Sequence, residues 1–146
     1  MFAFYGEYEH SLDDKGRVVI PVRYRPAFED GYFVTRGLER CLWIFPLPTW
    51  EAVSEKLGPS PLTLEPARQL DRQFYAGIDG RLDRQGRFLI PPPLRDHASL
   101  DAGKPVVLVG VKNRIEIWKP EFWHEVTTEM KQSGRSFAAP LGEATI

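Results

Sequence analysis

LDDKGRVVIPVRYR, residues 12–25, returns as LDRQGRFLIPPPLR at residues 82–95. Matched position by position, the windows share seven of fourteen residues: Leu12/Leu82, Asp13/Asp83, Gly16/Gly86, Arg17/Arg87, Ile20/Ile90, Pro21/Pro91 and Arg25/Arg95. After a three-residue slip the echo continues, with Gly37, Leu42, Ile44, Phe45 and Trp50 opposite Gly110, Ile115, Ile117, Trp118 and Trp123. A supersecondary unit is therefore present twice. A solenoid needs about three repeats to bury a continuous core, so the two copies are expected to pack on each other in one pseudo-twofold-symmetric domain. A length of 146 residues and a hydrophobic content of 42% suffice for one core of that kind.

Within each copy the local chemistry repeats. Asp13-Asp14-Lys15-Gly16 and Asp83-Arg84-Gln85-Gly86 each place an Asp able to accept from the backbone two residues on, then a Gly able to take positive φ. Asp13, Gly16, Asp83 and Gly86 are thus turn-forming residues, and a hairpin with a Gly bulge is predicted at each turn. The runs Val18-Val19-Ile20 and Phe88-Leu89-Ile90 read as strands buried on both faces, stopped by Pro21 and Pro91. Val22–Phe28 and Leu94–Ala98 are each long enough for a single helical turn. Residues 32–35 and 106–109 are predicted strands, returning through 41–45 and 114–118 as hairpin partners.

Each copy closes on a helix. Thr49 is the candidate N-cap for Trp50–Leu57, and Pro120 opens a helix to about Lys131. The stripes Trp50/Val53/Leu57 and Phe122/Val126/Met130 are expected in the core. Between the copies, Gly58-Pro59-Ser60-Pro61 breaks the first helix, and a further helix over about 66–75 presents Ala67, Leu70 and Phe74 on one face. The expected organisation is a first unit over 1–57, a linker and helix over 58–76, a second unit over 77–131, and a Ser/Gly/Ala/Pro-rich tail over 132–146 expected to be disordered.

The sequence offers little for catalysis. No GxSxG, GxxxxGK[ST] or GxGxxG occurs, and no nucleophile with a matching base stands out. His10, His97 and His124 lie far apart without a companion cysteine, so neither a metal nor a cofactor is expected. Cys41, the single cysteine, sits in an apolar strand and reads as a small buried hydrophobe. Asp13 and Asp14 are neighbours on extended backbone and point to opposite faces, poorly placed to share a proton. No signal peptide and no run of about 18 apolar residues is present, so a cytoplasmic protein without membrane contact is expected.

Basic residues gather around the two turns: Lys15, Arg17, Arg23 and Arg25 in the first copy, Arg81, Arg84, Arg87 and Arg95 in the second. The net charge of −1 provides no global attraction for nucleic acid, so any such contact has to be local or summed over many copies. A guanidinium takes phosphate or the O6/N7 edge of guanine in bidentate fashion, and a two-stranded ribbon fits the major groove. The residues alone leave two readings open: nucleic-acid contact, or Asp13–Arg17 and Asp83–Arg87 ion pairs that brace the turns.

HSLDDKGR with IPVRYR, CLWIFPLPTWE, LDRQGRFLIPPPLR and VLVGVKNRIEIW together resemble the MraZ family over about residues 1–130, including its two DxxxR motifs at Asp13/Arg17 and Asp83/Arg87. The resemblance implies a β-rich α+β fold: two fused AbrB-like units forming a double-split, swapped-hairpin β-barrel with flanking helices. It also implies a ring-shaped homo-oligomer that binds tandem short repeats in duplex DNA, repressing the division and cell wall gene cluster from the nucleoid, with no small-molecule substrate. Carried over residue by residue, the DNA-contacting arginine falls on Arg17, with Lys15 beside it. Arg87 matches in the second copy, next to Gln85 in place of Lys. Charge and position add Arg23, Arg25 and Arg84 to the candidate DNA-binding set. An oligomeric protein-interaction scaffold, with the arginines at subunit contacts, is the alternative. The resemblance departs at Ala3-Phe4-Tyr5 and in the tail, which bears on how subunits pack.

Overall fold

A computed structural model describes residues 3–138. In chain order the elements are β1 (Glu7–Ser11), β2 (Arg17–Val19), a 3-10 helix (Val22–Phe28), β3 (Tyr32–Arg36), β4 (Cys41–Pro46), α1 (Leu47–Leu57), α2 (Glu65–Tyr75), β5 (Ile78–Gly80), β6 (Arg87–Leu89), α3 (Pro92–Ala98), β7 (Pro105–Val111), β8 (Arg114–Trp118) and α4 (Pro120–Ala138). The class is α+β and strand-rich, and every strand pairing is antiparallel.

The two copies exchange strands. β1 of the first pairs with β7 of the second, β5 of the second pairs with β3 of the first, and β2 pairs with β6. The predicted hairpins at residues 13–16 and 83–86 therefore open immediately beyond their turns. Each turn closes on itself, but the flanking strands leave for different sheets. One is a six-stranded sheet in the order β1-β7-β8-β4-β3-β5, the other the β2-β6 ribbon. No pairing joins β1 to β5, so the larger sheet is open where a closed barrel was expected.

Alternation along the strands builds two layers against that sheet. Tyr32, Val34, Leu42, Ile44, Val106, Leu108, Ile115 and Ile117 face the ribbon, meeting Val18, Ile20, Phe88 and Ile90 together with Tyr24, Phe28, Leu94 and Ala98 from the short helices. Ile20 and Ile90 are fully buried, each contributing roughly 2 kcal/mol through apolar burial. On the opposite face, α4 covers Cys41, Val107, Val109 and Trp118 through Phe122, Trp123 and Val126, while α1 and α2 cover Phe45 with Trp50 and Phe74. Burial pushes the Cys41 thiol well above its ordinary pKa, so it is held as a neutral thiol.

Two buried polar residues, Thr35 and Glu116, lie on this helix-covered face and are satisfied, whereas the buried Trp43 Nε1 on the same face has no hydrogen-bond partner among the described residues. Thr35 donates to the Phe74 carbonyl at 2.7 Å, taking up one of the orphan acceptors at the end of α2. Glu116 accepts from Arg114 at 2.8 Å and from the Trp118 indole at 3.0 Å. The Arg114 guanidinium lies 4.4 Å above the ring of Trp43, the cross-strand partner of Glu116.

Several expected details are corrected. The ribbon buries one face only, because it packs on a single sheet, leaving Leu89 50% exposed. Helix α1 starts at Leu47 with Pro48 in its first turn, so Thr49 lies inside the helix and caps nothing. The two apolar stripes expected in the core leave it at their far ends, where Leu57 and Met130 are exposed, and on α2 Phe74 is buried while Leu70 is exposed. Helix α4 continues past Lys131 to Ala138 with a non-helical residue at Ser133. The rest of the expected tail, 139–146, lies outside the described residues.

Candidate nucleic-acid interface

The Asp of each turn organises the whole loop. Asp13 Oδ1 accepts from the backbone N–H of Lys15 at 3.0 Å and of Arg17 at 2.8 Å, and its Oδ2 takes the Arg17 Nε at 2.6 Å. Asp83 does the same with Gln85 N–H at 2.9 Å, Arg87 N–H at 2.9 Å and Arg87 Nε at 2.9 Å. Backbone bonds from Asp13 N–H to Arg17 O and from Gly16 N–H to Asp13 O close the first loop, with counterparts in the second. Donation by the Arg17 and Arg87 backbone N–H groups holds the Asp13 and Asp83 carboxyls below the usual carboxylate range, the arginine side chains adding to the effect.

Both glycines are required where they stand. Gly16 and Gly86 take φ of +83° and +75°, which a Cβ disfavours. Each also leaves room for an arginine of the other copy. A Cβ on Gly16 would stand 2.9 Å from the Arg95 Cζ, and one on Gly86 would stand 2.2 Å from the Arg25 Nε. Arg25 donates to the Ile20 carbonyl at 3.0 Å, whereas the Arg95 Nε has no partner among the described residues. The identities Gly16/Gly86 and Arg25/Arg95 in the echo are thus two halves of one reciprocal contact. That contact was invisible without the strand exchange.

The ribbon carries the exposed cations. Val18 and Phe88 point into the core, so their neighbours Arg17, Val19, Arg87 and Leu89 point outward together. Arg17 pairs with Leu89 and Arg87 with Val19, which sets the two arginines diagonally on one face, roughly 7–8 Å apart. Their side chains remain 29% and 28% exposed. Ile90 N–H donates to Gly16 O at 3.0 Å and Ile20 N–H to Gly86 O at 2.9 Å, so the turns cap opposite ends of the ribbon, about 13 Å apart at the rise of a strand. Lys15 and Arg84 are exposed at the two tips.

Of the six candidate binding residues, the structure brings Lys15, Arg17, Arg84 and Arg87 to this surface. Arg25 sits beneath the Gly86 turn. Arg23 lies apart from the tips: its guanidinium is 4.7 Å from the Tyr5 ring and 5.0 Å from the Tyr24 ring, and it donates to the Tyr5 hydroxyl. Tyr24 Oη in turn donates to the Tyr5 carbonyl at 2.9 Å and accepts from the Tyr5 N–H at 3.2 Å, pinning the N-terminal segment. Among the described residues no group of three or more His, Cys, Asp or Glu is placed to hold a metal ion, and no helix is long and apolar enough to cross a membrane.

The family comparison also finds the chain in two matches, one over each copy. The family model described as "MraZ protein, putative antitoxin-like" covers residues 3–73 and 79–141. The chain belongs to the MraZ family. It is 44% identical over 141 residues to the transcriptional regulator MraZ of Roseiflexus castenholzii, covering 96% of this chain and 97% of that protein. It is 49% identical over 127 residues to the Thermus thermophilus protein of the same name, covering 86% and 88%. For the Thermoanaerobacter pseudethanolicus protein of that name the identity is 41% over 142 residues, covering 97% and 98%. The junction between the two matches, 74–78, runs from the last two residues of α2 to the first residue of β5.

Proposed function

We propose that this chain is a sequence-specific DNA-binding transcriptional regulator, a repressor that enters the major groove with the β2-β6 ribbon. The observation that carries the reading is the outward ribbon face. Arg17 and Arg87 stand on one side of a groove-sized ribbon, each fixed through Nε by a carboxylate, with Lys15 and Arg84 at the tips. Tethering Nε leaves the outer edge of the guanidinium, its two Nη groups, for the O6/N7 edge of guanine or for phosphate. The names of its relatives support transcription as the process.

The finer elements belong to the same proposal. The strand exchange supports reading the copies as AbrB-like swapped hairpins fused in one chain. One small cationic face per chain supports assembly of several copies, since linked contacts raise avidity by about 10² to 10⁴. Leu57, Leu62, Leu64, Leu70 and Ile78, all exposed on or beside α1, α2 and β5, are apolar surface for a subunit contact. We take the assembly to be a ring-shaped homo-oligomer on tandem short repeats at the promoter of the division and cell wall gene cluster, in the cytoplasm on the nucleoid. The alternative scaffold reading draws on one observation: both DxxxR arginines already have a bracing role.

The test is a mobility shift of the pure protein on a duplex of tandem short G-rich repeats against a scrambled duplex, across a salt series. Selective binding that weakens steeply with salt is expected. The Arg17→Ala variant is expected to lose selectivity while keeping its fold and assembly, because an ion pair this exposed contributes little to stability. Absent binding, or a flat salt response, would make the scaffold the leading reading.

A further inference from the structure

The two turns share their skeleton but not their surroundings. The turn at 83–86 borders a cleft of ≈ 300 Å³ lined by Arg25, Arg81 and Arg84 together with Glu29 and Asp83. At the matching positions of the first turn, seventy residues earlier or on the other copy, stand Arg95, Ser11, Asp14, Ser99 and Asp13. Three cations and two carboxylates around the second turn thus become one cation and two carboxylates around the first. Asp83 is already matched by Arg87 and Asp13 by Arg17, so the contrast rests on Arg81 and Arg84 against Ser11 and Asp14. Arg81 is held in place by its bond to the Glu29 carbonyl at 2.9 Å, while Arg84 is exposed and makes no hydrogen bond or ion pair among the described residues.

At the tips the difference runs the other way. Lys15 donates its backbone N–H to Asp13 as Gln85 does to Asp83, so the two side chains leave equivalent loops toward equivalent places. Lys15 is a donor suited to the O6/N7 edge of guanine. Asp14 beside it repels phosphate.

We infer that the two turns divide the work on DNA: Arg84 and Arg81 hold a backbone phosphate at the second turn, and Lys15 at the first turn reads a base edge about 13 Å away, close to four base pairs along the helix. Contacts to phosphate position a protein, and contacts to bases specify the sequence. The chain therefore binds in one orientation despite its pseudo-twofold fold. This rests on the DNA reading above.

The experiment compares Arg84→Ala, Arg84→Lys, Lys15→Ala and Asp14→Arg with the unaltered protein. Each is titrated by fluorescence anisotropy onto the duplex that the unaltered protein selects from a random pool and onto a scrambled duplex, between about 50 and about 200 mM salt. Arg84→Ala is expected to weaken both duplexes by the same factor and to flatten the log affinity against log salt slope by about 1, with Arg84→Lys restoring much of it. Lys15→Ala is expected to weaken the selected duplex by about tenfold or more and to leave the scrambled one nearly unchanged. Asp14→Arg should tighten both and steepen the slope. The inference is overturned if Arg84→Ala erodes selectivity at an unchanged salt slope, or if Lys15→Ala weakens both duplexes equally. Failure of the DNA reading itself looks different: the unaltered protein then selects nothing from the pool.

Discussion

The turn at residues 13–17 and the turn at residues 83–87 close with the same five bonds, yet one presents Asp14-Lys15 and the other Arg84-Gln85. Every position that shapes the loop is an identity between the copies: the accepting Asp, the positive-φ Gly and the bracing Arg. The two positions that face away from the loop are free to differ, and do. The difference teaches that the duplication retains the mechanical parts of the turn, while the tips carry separate chemistry. Beneath the loops a second, smaller asymmetry exists, because Arg25 is tied to the Ile20 carbonyl and Arg95 is not tied through its Nε.

The largest expected effect breaks the symmetry from below. Gly86→Ala places a Cβ against a guanidinium that must give up a hydrogen bond to move, on a backbone of positive φ, for a loss of about 2 to 3 kcal/mol. Gly16→Ala meets the same backbone strain but displaces an arginine whose Nε has no bond to lose, for about 1 to 2 kcal/mol. Urea denaturation of both variants measures the gap. Equal losses would mean that the Arg25 bond contributes nothing beyond the strain shared by the two turns.

A smaller effect removes the brace from either side. Asp13→Ala and Asp83→Ala each strip the acceptor from two backbone N–H groups and release an arginine. The expected result is a modest fall in melting temperature of similar size in the two variants, since the lost bonds are the same. Binding should not respond equally. Freeing Arg17 beside the reading tip is expected to reduce selectivity for the chosen duplex, whereas freeing Arg87 beside Gln85 is expected to reduce it less, as anisotropy on selected and scrambled duplexes will show.

How much of the fold and of this surface is legible in the sequence is set by how local each feature is. The turn at Asp13-Asp14-Lys15-Gly16 is written in four adjacent residues, and Asp-to-backbone bonding with a positive-φ Gly has few alternatives. The strands 41–45 and 114–118 are also local in their existence, but both of their faces are covered, and Glu116 between Ile115 and Ile117 is buried and marks no open side. Strand partnership is not local. A β1 that folds back on β2 and a β1 that crosses to β7 bury the same side chains, so Glu7–Ser11 carries no mark of which it does. The exchange, the opened hairpins and the Arg25 and Arg95 contacts follow from that one undetermined choice. Val19 and Leu89 misled for a related reason. A short apolar run predicts burial on both sides, and only the single covering sheet shows that one side stays open. The surface that unites Lys15, Arg17, Arg84 and Arg87 was legible as charge near two turns, but its shape required the ribbon.

The smallest effect is one in which the two turns should not differ at all. Asp13 and Asp83 both have their carboxyls held below the ordinary range by the same backbone donors. A group whose pKa is lower in the folded state contributes its stabilisation above its unfolded value, about 3.9 for Asp, and loses it as the pH falls through the folded value. From pH 8 down to about pH 5 both braces are therefore at full strength, and acid weakens them only below about pH 4. Denaturant midpoints measured against pH for the unaltered protein, Asp13→Asn and Asp83→Asn are expected to converge toward the acid end, by the same amount in the two variants. The amide keeps one oxygen for the backbone N–H groups and turns an NH2 donor toward the arginine Nε in place of the Oδ2 acceptor, so the convergence isolates the whole arginine contact, charge and hydrogen bond together, from the loop that holds it. Unequal convergence would show that Arg84, which stands beside Asp83 where Asp14 stands beside Asp13, reaches the brace as well as the surface, and the separation between mechanical and chemical positions would fail there.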